Sequence, residues 1–170
     1  MVFRMMCLLL LILIAACGGD QPAATNNSSS SGSGETFTVD ISGDMTITLS
    51  PEGATAQFAE EALDESLNSY VLWFGTEEET AVSLIFYDTE PPQPGTYTIS
   101  TGFTEGTVSG LVVGRNSEDD LLTFAPQSGT VTLDSAGETY SGSFEFTAQG
   151  GVMGSGDQEV SVTGTFSSIQ

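Results

Sequence analysis

From Thr36 to the end of the chain, apolar and polar residues alternate at a period of two, and this pattern restricts the fold more than any other feature. The first two stretches have their apolar residues at Phe37, Val39 and Ile41 and at Met45, Ile47 and Leu49. Successive side chains of a β-strand point to opposite faces, so this alternation is typical of strands with one buried face.

Further stretches have strand-like composition and are separated by turn residues. They are Ser69 to Gly75, Ala81 to Tyr87, Thr96 to Ser100, Thr107 to Val113, Leu121 to Ala125, Thr130 to Asp134, Tyr140 to Thr147 and Glu159 to Phe166. The turns include Pro91 to Gly95, Asp134 to Gly137 and Gly150 to Gly156. Helices and strands do not alternate along the chain, which argues against a parallel sheet. We therefore predict an all-β fold, an antiparallel barrel or sandwich of about nine to ten short strands.

One segment, Phe58 to Leu67, departs from this alternation. Its apolar residues lie at Phe58, Ala62, Leu63 and Leu67, and its acidic residues at Glu60, Glu61, Asp64 and Glu65. Spacings of three and four residues place side chains on one face of a helix. The sequence leaves a short helix and a loop equally open for residues 58–67.

The N-terminal residues have the layout of a secretory leader. Arg4 precedes a short apolar run that ends at Cys17. A transmembrane helix needs roughly 20 apolar residues, whereas this run is interrupted at Gly18-Gly19-Asp20. We therefore predict a signal peptide over residues 1–16, with an uncleaved anchor as the alternative.

The end of that run, Ile14-Ala15-Ala16-Cys17, resembles the lipobox of bacterial lipoproteins. The resemblance implies cleavage between Ala16 and Cys17 and a diacylglycerol thioether on Cys17, which would attach the mature chain to a membrane. Two or three acyl chains hold a protein on a bilayer far more firmly than one. In this class an Asp directly after the cysteine often marks inner-membrane retention, so Gly18 favours the outer membrane. Whether the domain faces the periplasm or the cell surface stays open.

The next segment, residues 17–35, has the composition of a tether. Nearly every residue after Cys17 is Gly, Ser, Asn, Ala, Thr or Pro, with Ser28 to Ser31 in a row. Such a composition cannot bury enough surface to fold. A flexible chain of this length has a typical reach of about 25 Å. We predict three parts: a leader over 1–16, the lipidated cysteine and tether over 17–35, and one β-domain over 36–170.

The charge balance excludes several classes of partner. The chain has 23 Asp and Glu, two Lys and Arg and no His, for a formal net charge of −21. Nucleic acids and anionic lipid surfaces are bound through Lys and Arg, so we expect neither to bind the domain itself. Acid-rich surfaces also keep proteins soluble in saline surroundings. The cysteines are Cys7 and Cys17, so we expect no disulfide in the domain.

Residue types needed for common catalytic and metal sites are missing. A hydrolytic triad needs a base beside its nucleophile, and zinc sites use His and Cys, yet the mature domain has no His, Cys or Lys. Calcium accepts carboxylate and carbonyl oxygens, and its candidate ligands here are Asn116, Glu118, Asp119 and Asp120. That segment lacks the EF-hand pattern, which favours a solvated turn. Another acidic run, Glu77 to Glu79, also has turn character. We predict no catalytic, cofactor or metal residues.

Two neighbouring strands, Ser69 to Gly75 and Ala81 to Tyr87, are apolar on both faces. Val71 and Trp73 lie opposite Tyr70, Leu72 and Phe74 across the pleat, and Ile85 and Tyr87 lie opposite Leu84 and Phe86. A central hairpin buried on one side by the core, and on the other by a loop or by residues 58–67, explains this pattern. The alternative is an aromatic-lined cavity or an exposed patch for an apolar ligand or a partner protein.

The last strands contain a repeated motif. The segments are Gly129-Thr130-Val131, Gly142-Ser143-Phe144 and Gly164-Thr165-Phe166, with Gly95-Thr96-Tyr97 upstream. Together they resemble a family of uncharacterised bacterial lipoprotein β-domains. The resemblance implies a lipocalin-like barrel or sandwich and brings no known activity or site residues.

These observations predict an envelope lipoprotein whose β-domain is a non-catalytic binding or structural module. We expect a monomer that contacts the membrane through lipid on Cys17 and binds an apolar small ligand or an envelope protein. One alternative is a lipocalin-like carrier of a small apolar ligand. Another is a glycoside hydrolase that uses a carboxylate pair, which would need two acids facing one cleft.

Overall fold

The computed structural model describes residues 34–62, 68–76, 80–102, 105–116, 118–152 and 154–170. They belong to one compact unit, Gly32–Gln170. Within the described residues there are ten strands and no helix. The strands are β1 (Thr36–Gly43), β2 (Ile47–Leu49), β3 (Thr55–Ala62), β4 (Asn68–Gly75), β5 (Ala81–Asp88), β6 (Gly95–Ile99), β7 (Thr107–Arg115), β8 (Leu121–Ser135), β9 (Tyr140–Val152) and β10 (Gln158–Ile169).

The strands form one curled sheet, a half-barrel, in the order β2-β1-β10-β9-β8-β6-β7-β5-β4-β3. Among the described pairings only β6 and β7 run parallel, through Ile99 and Val108; the rest are antiparallel. The predicted all-β, largely antiparallel fold is therefore confirmed. Strands β2 and β3 form the two edges of the sheet.

The helix alternative for residues 58–67 is wrong over the residues that the structure describes. Residues 58–62 belong to β3, which pairs with β4 along its whole length, and residues 63–67 lie outside the described part of the chain. Phe58 turns towards the core, where its ring stacks on that of Tyr140 with centroids 3.8 Å apart. Its backbone N–H donates to Gln170 at 2.9 Å. Tertiary pairing therefore overrides the local helical spacing.

Two predicted strands, Leu121 to Ala125 and Thr130 to Asp134, are a single strand, β8. Its register shifts between Pro126 and Ser128, which marks a β-bulge. A bulge tolerates the missing N–H of proline, so Pro126 bends the strand without ending it. On one side of the bulge β8 pairs with β7, and on the other it pairs with β6.

The inner face of the curled sheet is the hydrophobic core. Alternate residues of each long strand point inwards, as in β1, where Phe37, Val39 and Ile41 are 6%, 0% and 1% exposed. The ring of Phe74, from β4, lies 5.6–5.7 Å from the rings of Phe37, Phe144 and Phe166. Rings at this separation are in favourable contact. One side chain thus joins the β3–β4–β5–β7 half of the sheet to the β1–β9–β10 half.

The repeated Gly-x-Phe motif has a structural role where β9 and β10 pair. Gly142 lies opposite Phe166, and Phe144 lies opposite Gly164, so the two motifs are reciprocal. A Cβ atom on Gly164 would lie 2.3 Å from the Phe144 ring. Glycine is therefore needed at position 164 because the ring of Phe144 occupies the space of a side chain.

Candidate functional site

The outer face of the sheet carries two contrasting surfaces, and the first lies on β1, β8, β9 and β10. It forms an open hollow with a volume of about 460 Å³. We call this surface the hydroxyl face. Its polar side chains are Thr38, Asp40, Thr130, Thr132, Ser143, Glu145, Thr163 and Thr165.

Strand register arranges these side chains in rows across the sheet. One row runs Thr132, Ser143, Thr165, Thr38, and the next runs Thr130, Glu145, Thr163, Asp40. Neighbouring side chains bond along the rows at the ends of the array: Thr48 donates to Asp40 at 2.7 Å, and the hydroxyls of Thr96 and Thr132 are 3.1 Å apart. The array offers hydroxyl donors and acceptors to any polar molecule.

Two carboxylates, those of Asp40 and Glu145, share this hollow. Each pairs with Thr163, one on either side, so they are two strand spacings apart, or about 9–10 Å. This spacing is between backbone positions, and Asp and Glu side chains at such a spacing can place their carboxyl groups within the roughly 6.5–9.5 Å that inverting glycosidases use. The hydrolase alternative therefore has one carboxylate pair to test, and it stays a prediction.

Sequence reasoning did not single out Asp40 or Glu145. Both occupy polar positions of alternating strands, where a solvent-facing acid is ordinary. Their closeness depends on β10 lying between β1 and β9, and this long-range pairing leaves no local signal. The number of residues between Asp40 and Glu145 along the chain does not distinguish this pair from any other pair of acids in the domain.

The predicted calcium candidates lie together in the turn between β7 and β8, where they bond to one another. The side-chain carbonyl of Asn116 accepts from the backbone N–H groups of Glu118 and Asp120, both at 2.9 Å. Arg115 donates to the backbone oxygen of Asp119 at 2.9 Å and lies 3.5 Å from its carboxylate. These contacts cap a tight turn. The described residues contain no group of three or more His, Cys, Asp or Glu placed to hold a metal ion.

The second surface of the outer face covers β4, β5 and β7, and we call it the apolar outer face. It is formed by half-buried side chains of Val71, Trp73, Ile85, Leu111 and Val113. The register aligns Val71 with Ile85, and it aligns Trp73 with Leu111 through Ser83. The indole of Trp73 lies over Gly75, where an added Cβ would meet the ring at 2.2 Å.

The other side of the same hairpin is fully buried. Tyr70, Leu72 and Phe74 are 2%, 0% and 0% exposed. The core therefore buries one side of the hairpin, as predicted, whereas residues 58–62 pair with β4 at its edge and do not cover its outer side.

Towards one end of these strands the outer side also becomes buried. Ser69, Ser109 and Tyr87 are 3%, 4% and 6% exposed, although all three point away from the core. Burial raises the pKa of Tyr87 to about 12 because the charged phenolate loses hydration. The apolar outer face thus continues into a region that solvent barely reaches.

Several predicted residues lie outside the part of the chain that the structure describes. They include the cleavage residues Ala16 and Cys17, the lipidation site Cys17 and the acidic run 77–79. No helix within the described residues is long and apolar enough to cross a membrane. Comparison of the chain with protein-family models, with curated proteins and with solved structures finds no match. The resemblance to uncharacterised lipoprotein β-domains stays a prediction.

Proposed function

We propose that this chain is a lipid-anchored cell-envelope protein whose β-domain is a non-catalytic binding or structural module. The observation that carries the proposal is the lipobox-like segment Ile14 to Cys17 at the end of a short apolar leader. Lipid on Cys17 would anchor the domain independently of its fold. Gly18, directly after the cysteine, favours the outer membrane.

The architecture of the domain agrees with this proposal. A domain of this length can build a sufficient core without disulfides, and the core here is continuous from Phe37 to Ile169. Asp40 and Glu145 stand among hydroxyl side chains on an open surface, where water is not excluded. Such a surface suits recognition or solubility more than chemistry in a dry site.

The experiment is metabolic labelling with radioactive palmitate in a bacterial host that processes lipoproteins. Wild type should be labelled and should shift to the size expected after cleavage before Cys17. Cys17→Ala should carry no label and keep its leader. A matched control, Cys7→Ala, should behave as wild type because residue 7 lies within the leader. Absence of label on the wild type would contradict the proposal.

The carrier alternative needs an apolar cavity between the inner faces of the sheet. Phe74 occupies that space in contact with three other rings, and this packing favours a module that binds through its surface. Native mass spectrometry of the protein purified from membranes distinguishes a carrier from a module that binds through its surface. A copurified lipid, beyond the one on Cys17, that is lost on Phe74→Ala would instead favour the carrier.

A further inference from the structure

We propose that the apolar outer face is a membrane-contact surface that rests on uncharged, zwitterionic lipid. The inference builds on the proposed function, because the lipid on Cys17 would keep the domain beside a bilayer. What carries it is an uncharged apolar sheet surface in a chain whose predicted lipid and tether would hold the domain within reach of a bilayer.

The first step is the absence of charge. Three rows cross β3, β4, β5 and β7 on the outer side, all within the described residues: Ala59, Val71, Ile85, Ser109; then Gln57, Trp73, Ser83, Leu111; then Gly75, Ala81, Val113. None of these residues is acidic or basic. The next row, Glu61, Ser69, Tyr87 and Thr107, has an acid at its β3 end, so the three uncharged rows are the part of this surface that could approach lipid without desolvating a carboxylate.

The second step concerns the border of the surface beside β8. Leu121, 40% exposed, pairs with Arg115 at the end of β7, one row beyond Val113. Arg115 is the only basic residue after the leader. Exposed apolar side chains bordered by an arginine match the boundary between acyl chains and phosphate groups. Arg115 lies 3.5 Å from the carboxylate of Asp119, and Glu118 and Asp120 lie in the same turn, so the border carries a net negative charge that suits zwitterionic better than anionic headgroups.

The third step concerns what covers the apolar outer face, lipid or a second copy of the chain. A tether with a reach of about 25 Å keeps the surface near the bilayer, at a high effective concentration, so a shallow contact is sufficient. Two copies of a chain with a net charge of −21 repel each other. The same charge opposes anionic lipid. The occupant that fits best is therefore a zwitterionic bilayer.

The chain offers a direct probe, because Trp73 is its only tryptophan. The full lipidated protein is reconstituted in phosphatidylcholine vesicles whose acyl chains are brominated near the headgroup. Bromine quenches an indole that lies at the lipid interface, and we expect the Trp73 emission to be roughly halved, since tryptophan prefers this depth. Emission equal to that in unbrominated vesicles would overturn the proposal.

Matched charge variants locate the contact. Ser83→Glu places a carboxylate between Trp73 and Leu111, and we expect it to abolish quenching. Thr165→Glu adds the same charge on the hydroxyl face and should leave quenching as in wild type. Circular dichroism shows whether each variant folds. Equal quenching in both folded variants would contradict the assignment to the apolar outer face. If Ser83→Glu does not fold, the test uses Ser83→Asn in anionic vesicles. We expect less quenching of Trp73 there than in phosphatidylcholine vesicles, because the negative charge of the protein opposes anionic lipid.

A further experiment separates failure of the membrane-contact proposal from failure of the proposed function. Intact mass first shows whether Cys17 carries lipid. The full Cys17→Ala chain is then added to excess phosphatidylcholine vesicles, where quenching of Trp73 would support the surface contact even if lipidation had failed. A blue shift that depends on protein concentration, without quenching, would show that a second copy occupies the face and would overturn the proposal.

Discussion

The two halves of the sheet share one core but differ on their outer faces. In the half formed by β1, β8, β9 and β10, the outward positions of the hydroxyl face are Thr, Ser, Asp and Glu, opposite the apolar core residues of the same strands. In the half formed by β4, β5 and β7, outward positions include Val71, Trp73 and Leu111, so the strands have apolar residues on both faces. The common core therefore restricts the inner face of both halves to apolar residues, whereas the outer face can differ between them.

The comparison of the two halves also predicts which residues contribute most to the free energy of unfolding. Inner side chains of both halves meet around Phe74, and most outer side chains are at least partly hydrated, apart from the buried end at Ser69, Tyr87 and Ser109. The free energy of unfolding should therefore depend strongly on inner residues in both halves. It should depend moderately on the apolar outer face and weakly on the hydroxyl face.

The largest expected effect is that of Phe74→Ala. Removing a fully buried ring that contacts three others should reduce the free energy of unfolding by about 3–5 kcal/mol. Trp73→Ala, one position along β4, removes a half-buried ring and should cost about 1–2 kcal/mol. Urea denaturation measures both. Equal losses would contradict the distinction between the inner and outer faces of this strand.

The second effect tests the reciprocal Gly-x-Phe pairs in the other half. Gly164→Val would place a side chain where the Phe144 ring lies, and we expect a loss of about 1–3 kcal/mol. The control Thr165→Val, on the hydroxyl face, should change stability by less than about 0.5 kcal/mol. Thermal unfolding of the two variants compares them. A neutral Gly164→Val would mean that Phe144 moves away without cost.

The third effect is a pH dependence at the buried end of the apolar outer face. The pKa of Tyr87 is about 12 in the folded protein and about 10 in an unfolded chain. Between these values the unfolded chain has released the proton and the folded protein retains it. The stability contributed by neutral Tyr87 is therefore complete below about pH 10 and is lost as the pH rises towards 12.

Chemical denaturation across this alkaline range, on wild type and Tyr87→Phe, measures the contribution. The variant should lose less stability than wild type, since phenylalanine does not ionise. Parallel losses in both proteins would show that other groups cause the alkaline decline, among them Tyr140, whose pKa is also raised by burial.

The smallest effect should come from the hydroxyl face. Thr48 bonds to Asp40 at 2.7 Å, but both side chains are exposed. Contacts between exposed polar groups contribute little, so Asp40→Asn should change stability by less than about 0.5 kcal/mol. A loss comparable to that of Trp73→Ala would mean that the hydroxyl face stabilises the sheet in its own right.

Much of the fold follows from the sequence because the alternation of side chains is local. Most predicted strands are present, and the two-faced hairpin around Trp73 was visible as apolar runs. The exceptions depend on distant partners. Residues 58–62 form a strand because β4 pairs with them, and β8 continues past Pro126 because a bulge absorbs the proline.

The surfaces were less predictable than the strands. Asp40 and Glu145 lie on either side of Thr163 only through the order of β1, β10 and β9, which no local pattern encodes. The extension of the apolar outer face to Leu111 and Val113 likewise depends on β7 pairing with β5. The lipobox-like segment Ile14 to Cys17 is a local pattern, and its interpretation stays a prediction because processing depends on enzymes of the host.

The most direct test of the account is the intact mass of the protein extracted from bacterial membranes with detergent. The account predicts a chain that begins at Cys17 and carries the added mass of a diacylglyceryl group, with or without an N-terminal acyl chain. A chain that retains residues 1–16, or one that begins elsewhere without lipid, would contradict it.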